Sequence, residues 1–151
     1  MIRERIAEET KQAMKGGDKP RLSTLRLMSS AIKNVEIEGR TSGKGEVSDD
    51  ALLGLLQKLV KQRQESAELY DKGARPELAA AERAEIVVIQ SFLPQQMSEE
   101  ETRAAIAEAI KETGAASVKD MGKVMAALKA RYAGKMDLGK AGGTVKAMLA
   151  G

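Results

Sequence analysis

The sequence predicts an all-α protein, with an N-terminal domain of about four helices and a C-terminal domain of three. Three observations carry this. Apolar residues recur three and four positions apart and never alternate over a strand's length. The aromatic set is only Tyr70, Phe92 and Tyr132, so the core must be built from Leu, Ile, Val, Met and Ala, which suits helix-on-helix packing. Finally, 14 glycines with only 3 prolines give punctuation without the turn-rich pattern of an all-β chain.

The first helix is expected from Ile2 to Lys15, stopping at Gly16-Gly17. The second begins near Pro20, since a proline is tolerated in a first turn. Leu22, Leu25, Ser29 and Ile32 form its apolar stripe, widened by Met28 and Val35. Gly39 to Gly45 reads as a loop. Ser48 caps the third helix, with Asp49 and Asp50 at its positive end. Leu52, Leu56 and Leu59 make its seam, broadened by Leu53 and Val60, and Gly73 is the expected C′ residue. Pro76 opens a fourth helix reaching Phe92, with Ile86 and Ile89 inward.

Pro94 disfavours helix at Leu93, and Ser98-Glu99-Glu100-Glu101 follows as a capping box. The domain boundary is therefore expected here, giving domains 1–93 and 94–151. The fifth helix ends at Gly114, and Ser117 to Asp120 resembles another box opening the sixth, which runs to about Ala130. Tyr132-Ala133-Gly134 is a turn, and Asp137 caps a last helix ending near Leu149.

Composition narrows the chemistry. With 42% hydrophobic and 31% charged residues the chain is globular. It has no cysteine and no histidine, so a disulfide framework and His/Cys metal ligation are excluded. No phosphate-binding or dinucleotide fingerprint is present, and no cofactor is expected. The longest apolar run, Val124 to Leu128, is too short to span a bilayer, and the start lacks a signal peptide's apolar region. A cytoplasmic location without membrane partners is the expectation.

Charge is unevenly spread. Residues 1–93 carry 16 basic and 15 acidic groups, residues 94–114 carry 2 and 5, and residues 115–151 carry 7 and 2. The final segment is cationic while the rest is close to balanced. On a wheel of the sixth helix, Val118, Met121, Val124, Met125 and Leu128 gather on one side. Lys119, Gly122, Lys123, Ala126 and Ala130 gather on the other. The last helix repeats the pattern: Leu138, Gly142, Val145, Met148 and Leu149 inward, with Gly139, Lys140, Gly143, Lys146 and Ala147 outward. Interior glycine costs about 0.5–1 kcal/mol relative to alanine, and outward glycines are not explained by core packing. Lysines beside bare backbone suit a sugar-phosphate surface, though lysines on a helix face are commonly mere solvation and a glycine pair can equally mark a helix–helix contact.

The Leu93-Pro94-Gln95-Gln96-Met97-Ser98-Glu99-Glu100-Glu101 segment, Met121-Gly122-Lys123-Val124-Met125 and Tyr132-Ala133-Gly134-Lys135-Met136-Asp137 resemble the YqeY-like family. Leu59 to Ser66 and Tyr70 to Arg75 extend the resemblance to nearly the whole chain. The C-terminal module is similar to the tail domain of GatB, a subunit of the tRNA-dependent amidotransferase. The resemblance implies an N-terminal helical domain followed by a tail-like three-helix domain. It also implies contact with the elbow of tRNA, through Gly122, Lys123 and the neighbourhood of Asp137 to Lys146. Gly142-Gly143 departs from the family pattern, where bulkier residues are expected.

Three functions remain open. One is a tRNA- or RNA-binding accessory protein using Lys119, Gly122, Lys123, Gly139, Lys140, Gly143 and Lys146, without catalysis of its own. Another is an adaptor for an amidotransferase or a translation-related protein. The third, implied by the resemblance alone, is glutamine-dependent carbon–nitrogen ligation. An amidase-type glutaminase needs a Ser/Ser/Lys constellation, and Ser29-Ser30 is the candidate. Ser29, however, falls on the predicted core stripe with no glycine-rich nucleophile setting. Glu99 to Glu101 fan over different helix faces and read as a helix start, not a metal site. Arg63 lies near the leucine seam, and Glu82 or Glu85 is its expected partner.

Overall fold

Ser48 and Ser98 show how short-range chemistry sets the helix boundaries. Ser48 accepts a hydrogen bond from the Ala51 N–H at 3.2 Å, and Ser98 accepts from Glu101 N–H while the Glu101 carboxylate accepts from Ser98 N–H. Orphan backbone donors are thereby satisfied before either helix begins. The computed structural model describes residues 2–41 and 47–150, with Arg40 and Thr41 described in backbone only.

Among the described residues the secondary structure is entirely helical: α1 (Ile2–Gly16), α2 (Lys19–Thr41), α3 (Asp49–Lys72), α4 (Pro76–Gln90), α5 (Glu99–Thr113), α6 (Met121–Tyr132) and α7 (Leu138–Ala150). A single 3₁₀ turn, Val118–Asp120, precedes α6. The protein is all-α. The chain divides into two compact units, Met1–Leu93 and Pro94–Gly151.

In the first unit α3 and α4 form an antiparallel hairpin, with α2 against α4 and α1 against α2. Its core joins Ile2, Ile6, Leu25, Met28, Ile32, Leu52, Leu56, Ile86, Ile89 and Phe92. Each fully buried Leu or Ile side chain removed from water contributes about 1.5–3 kcal/mol. Arg63 is inward, as its position beside the seam predicts. Its Nε donates to Glu85 at 2.8 Å and its Nη1 to the Leu59 carbonyl at 3.1 Å. Glu85, not Glu82, is the partner. Arg5 stacks its guanidinium 4.9 Å from the Phe92 ring centre, a cation–π contact.

Several expectations are corrected. Ser29 is exposed, because the buried face of α2 is centred on Met28 and includes Thr24, whose hydroxyl donates back to the Pro20 carbonyl. That rotation leaves Ser29 beyond the edge of the stripe. The expected loop at Gly39 begins later, since α2 continues through Thr41; the rest of that loop lies outside the described residues. At the end of α3 the left-handed residue is Ala74 (φ 58°), whereas Gly73 has φ −86°. Helix α4 stops at Gln90, and Phe92 reaches the core from the turn beyond it.

The second unit packs α5, α6 and α7 around Ile106, Val124, Leu128 and Val145, with Ala105, Ala109, Met136 and Ala141. Gly114 closes α5 in the left-handed conformation (φ 67°), where a side chain would be strained. The Met97 N–H donates to the Lys135 carbonyl at 2.8 Å, tying the segment before α5 to the turn before α7.

Candidate nucleic-acid interface on the C-terminal unit

The 115–151 segment is cationic by count, 7 basic residues against 2 acidic, and both acids are bonded to backbone. Asp120 accepts from the Ala116 and Ser117 N–H groups, and these two bonds hold its carboxyl below the ordinary aspartate range, with Lys123 adding a smaller electrostatic contribution. Asp137 accepts from the Gly139 and Lys140 N–H groups at the start of α7. Both carboxylates of the 115–151 segment are therefore engaged with backbone at helix starts. Arg131 is held by Glu112 of α5. Lys119, Lys129, Lys140 and Lys146 form no ion pair among the described residues, and all four are exposed.

The seven residues singled out from sequence are all exposed: Lys119, Gly122, Lys123, Gly139, Lys140, Gly143 and Lys146. They do not form one patch. Lys119 stands on the 3₁₀ turn, ahead of the helix it was assigned to. Gly142 faces α6: a Cβ added there would lie 3.5 Å from Met121 Cε and 3.9 Å from Met125 Cε. This contact defines the α6–α7 seam. At 100° per residue, Gly122 and Lys129 fall on the flank of α6 beside those methionines, while Arg131 takes the opposite flank toward α5. On α7, Lys146, Gly139 and Gly143 follow Gly142 outward, whereas Lys140 is turned about 160° from it. By this wheel Gly122, Gly139, Gly143 and Lys146 fall on the seam-side flanks of their helices, whereas Lys123 and Lys140 fall on the sides turned away from the seam.

The glycines differ in cause. A Cβ at Gly122 or Gly143 would meet nothing within 4 Å, and neither has positive φ. At Gly139 a Cβ would stand 3.2 Å from the Asp137 carboxylate that caps α7, so the cap itself favours glycine there. Lys129 is the residue that sequence reasoning missed. Its seven-residue spacing from Gly122 was a usable signal. Two other placements are corrected: Met148 is 41% exposed, and Val118 is 39% exposed, although both were expected inward. Ala141 is buried in Met148's stead.

Elsewhere, a cleft of about 390 Å³ in the first unit is lined by Arg3, Ile6, Ser29, Ile32, Lys33, Glu36 and Ile37. Ser29 reaches it, but among the described residues no base is hydrogen-bonded to its hydroxyl. Glu101 is taken up by the Ser98 cap, and among the described residues no three carboxylates converge as a metal site would require. None of the described helices is long and apolar enough to cross a membrane.

Two small helical units, the second with its helix starts capped by its own acids, define an all-α class. The chain belongs to the family described as Yqey-like protein, which it matches over residues 3–149. It is similar to the proteins named "Altered inheritance of mitochondria protein 41, mitochondrial". The match from Vanderwaltozyma polyspora is 36% identical over 88 residues, covering 58% of this chain and 46% of the relative. That from Lachancea thermotolerans is 37% identical over 90 residues, 60% of this chain and 46% of the relative. The match from Pyrenophora tritici-repentis is 28% identical over 133 residues, 84% of this chain and 71% of the relative. The chain thus spans about half the length of the two yeast relatives.

Proposed function

We propose that the C-terminal unit binds structured RNA, tRNA being the favoured class, through the exposed lysines and glycines of α6, α7 and the turn before α6. The observation that carries this reading is the engagement of Asp120 and Asp137 with backbone N–H groups. It leaves Lys119, Lys129, Lys140 and Lys146 unpaired beside glycines that present bare backbone. Such a surface neutralises phosphates at close approach and reads shape; with three aromatic residues in the whole sequence, base stacking contributes little. The resemblance of the Met121–Met125 and Tyr132–Asp137 motifs to the amidotransferase tail domain, read from the sequence alone, is what favours tRNA as the RNA. Cytoplasmic residence goes with the same reading; a sequence without cysteine fits a reducing compartment.

The test is direct. Four phosphate contacts predict that affinity for mixed tRNA falls about a hundredfold between 50 and 200 mM salt. Replacing Lys119, Lys123, Lys140 and Lys146 together by Glu abolishes binding while circular dichroism shows unchanged helicity. Binding by that variant as tight as the parent's at moderate salt removes the proposed surface.

The adaptor reading makes a different prediction, a protein partner retained after nuclease treatment. Glutamine-dependent ligation finds little support in the residues: Ser29 is accessible but has no hydrogen-bonded base among the described residues. Purified protein is expected to release no ammonia from glutamine, with or without charged tRNA.

A further inference from the structure

Helix α7 is helical for reasons outside its own sequence. Three of its thirteen residues are glycine. None is demanded by helix packing: a Cβ at Gly142 would make ordinary contact with Met121 Cε at 3.5 Å, one at Gly143 would meet nothing within 4 Å, one at Gly139 would crowd only the Asp137 carboxylate at 3.2 Å, and none of the three has positive φ. Each glycine lowers a helix's own equilibrium about two- to fivefold relative to alanine.

Its charges oppose it as well. Helix α5 carries Glu99, Glu100 and Glu101 in its first turn and Lys111 in its last, and α6 carries Lys129 and Arg131 in its last, each complementing the helix dipole. In α7 the first turn contains no acid and includes Lys140, and the last turn contains no base. Among the described residues, its terminal support of this kind is the Asp137 cap.

Its anchorage is small. The fully buried residues of α7 are Ala141 and Val145, with Leu138 and Leu149 half-buried, whereas α6 buries Val124 and Leu128 and α5 buries Ala105, Ile106 and Ala109. A helix with weak propensity, opposed charges and little buried area is the element expected to open below the global unfolding free energy.

We propose that α7 is a latch: it undocks from α5 and α6 as a separate step, and a phosphate-bearing ligand that engages Lys140 and Lys146 together holds it closed. The second clause rests on the RNA-binding reading; the first does not. Lys140 and Lys146 lie on different sides of α7 and keep a fixed spacing only while it is helical, so a ligand spanning them favours the docked state.

Hydrogen exchange of the full-length protein, read by mass spectrometry, tests both parts. In free protein, α7 peptides are expected to exchange faster than those of α5 and α6. Gly143→Ala, whose new methyl meets open space, is expected to slow α7 exchange about two- to fivefold and leave α5 and α6 unchanged. Exchange of all three helices as one unit, or equal slowing of all three by Gly143→Ala, overturns the latch. Saturating mixed tRNA is expected to slow α7 selectively. Should tRNA bind in a mobility-shift assay without slowing α7, the coupling is overturned. Should it not bind at all, the RNA reading fails and the coupling with it, while free-protein exchange still decides whether α7 opens alone.

Discussion

At Arg63 the guanidinium side chain is only 11% exposed, and Glu85 together with the Leu59 carbonyl accepts its N–H groups. Removing the acid leaves a nearly buried cation with one neutral partner. Glu85→Ala is therefore expected to lower stability by about 1–3 kcal/mol in urea unfolding. The Arg83–Asp71 pair bridges the same two helices, but both side chains are about half exposed. Arg83→Ala is expected to lower the urea midpoint less than Glu85→Ala does, because solvent screens that pair. Ala74 is the other residue with a local energetic signature. It is the described non-glycine residue at positive φ, a conformation that crowds Cβ against the following carbonyl. Ala74→Gly is expected to raise the urea midpoint, gaining about 0.5–1 kcal/mol net of glycine's extra unfolded-state entropy.

Helix starts in the second unit use side-chain acceptors: Ser98 and Asp137 stand ahead of α5 and α7, while Glu101 and Asp120 reach back from the first turn of α5 and from the 3₁₀ turn. Protonation disables the carboxylate version. Asp120 and Glu101 both titrate below their ordinary ranges because backbone N–H groups bond to the charged form. A carboxyl depressed in the folded state binds its proton more readily when unfolded. Its contribution is therefore complete above the unfolded-state pKa and is lost as pH falls through the folded value. For Asp120 the loss begins below the ordinary aspartate value of 3.8. Asp120→Asn keeps an acceptor but removes the titration, so its stability is expected to decline less steeply in acid than the parent's. Thermal melts of both proteins from pH 5 to pH 2 check this. Equal slopes would mean that the Ala116 and Ser117 bonds contribute nothing to acid stability.

At the level of the molecule, each unit has its own apolar cluster. That of the first is built on Leu, Ile, Met and Phe; that of the second leans on Ala, Val and single large residues such as Ile106 and Leu128. A chain of 58 residues with so small a core is marginal on size alone. A fragment comprising residues 94–151 is expected to be helical at 10 °C and to melt broadly at a lower temperature than the full chain's main transition. A fragment that is unstructured at 10 °C would show that the second unit depends on the first for folding.

Helix positions, the Ser48, Ser98 and Asp137 caps and the inwardness of Arg63 were legible in the chain, because they depend on contacts within a few residues or on a strong apolar period. The burial side of each helix was legible only to within about a quarter-turn. For α2 that margin decided whether Ser29 was core or surface, and the hydroxyl of Thr24, satisfied by the Pro20 carbonyl, is what allows the face to turn. In α7 a similar turn buried Ala141 and exposed Met148. Glycine in the C-terminal helices announced itself in the sequence, but its three causes separate only when neighbours are in place: Met121 beyond Gly142, the Asp137 carboxylate at Gly139, open space at Gly122 and Gly143. Local hydrogen bonding and periodicity act along the chain, so they can be read from it. The rotation of a helix about its axis minimises voids against particular partners, and only the packed structure contains those partners.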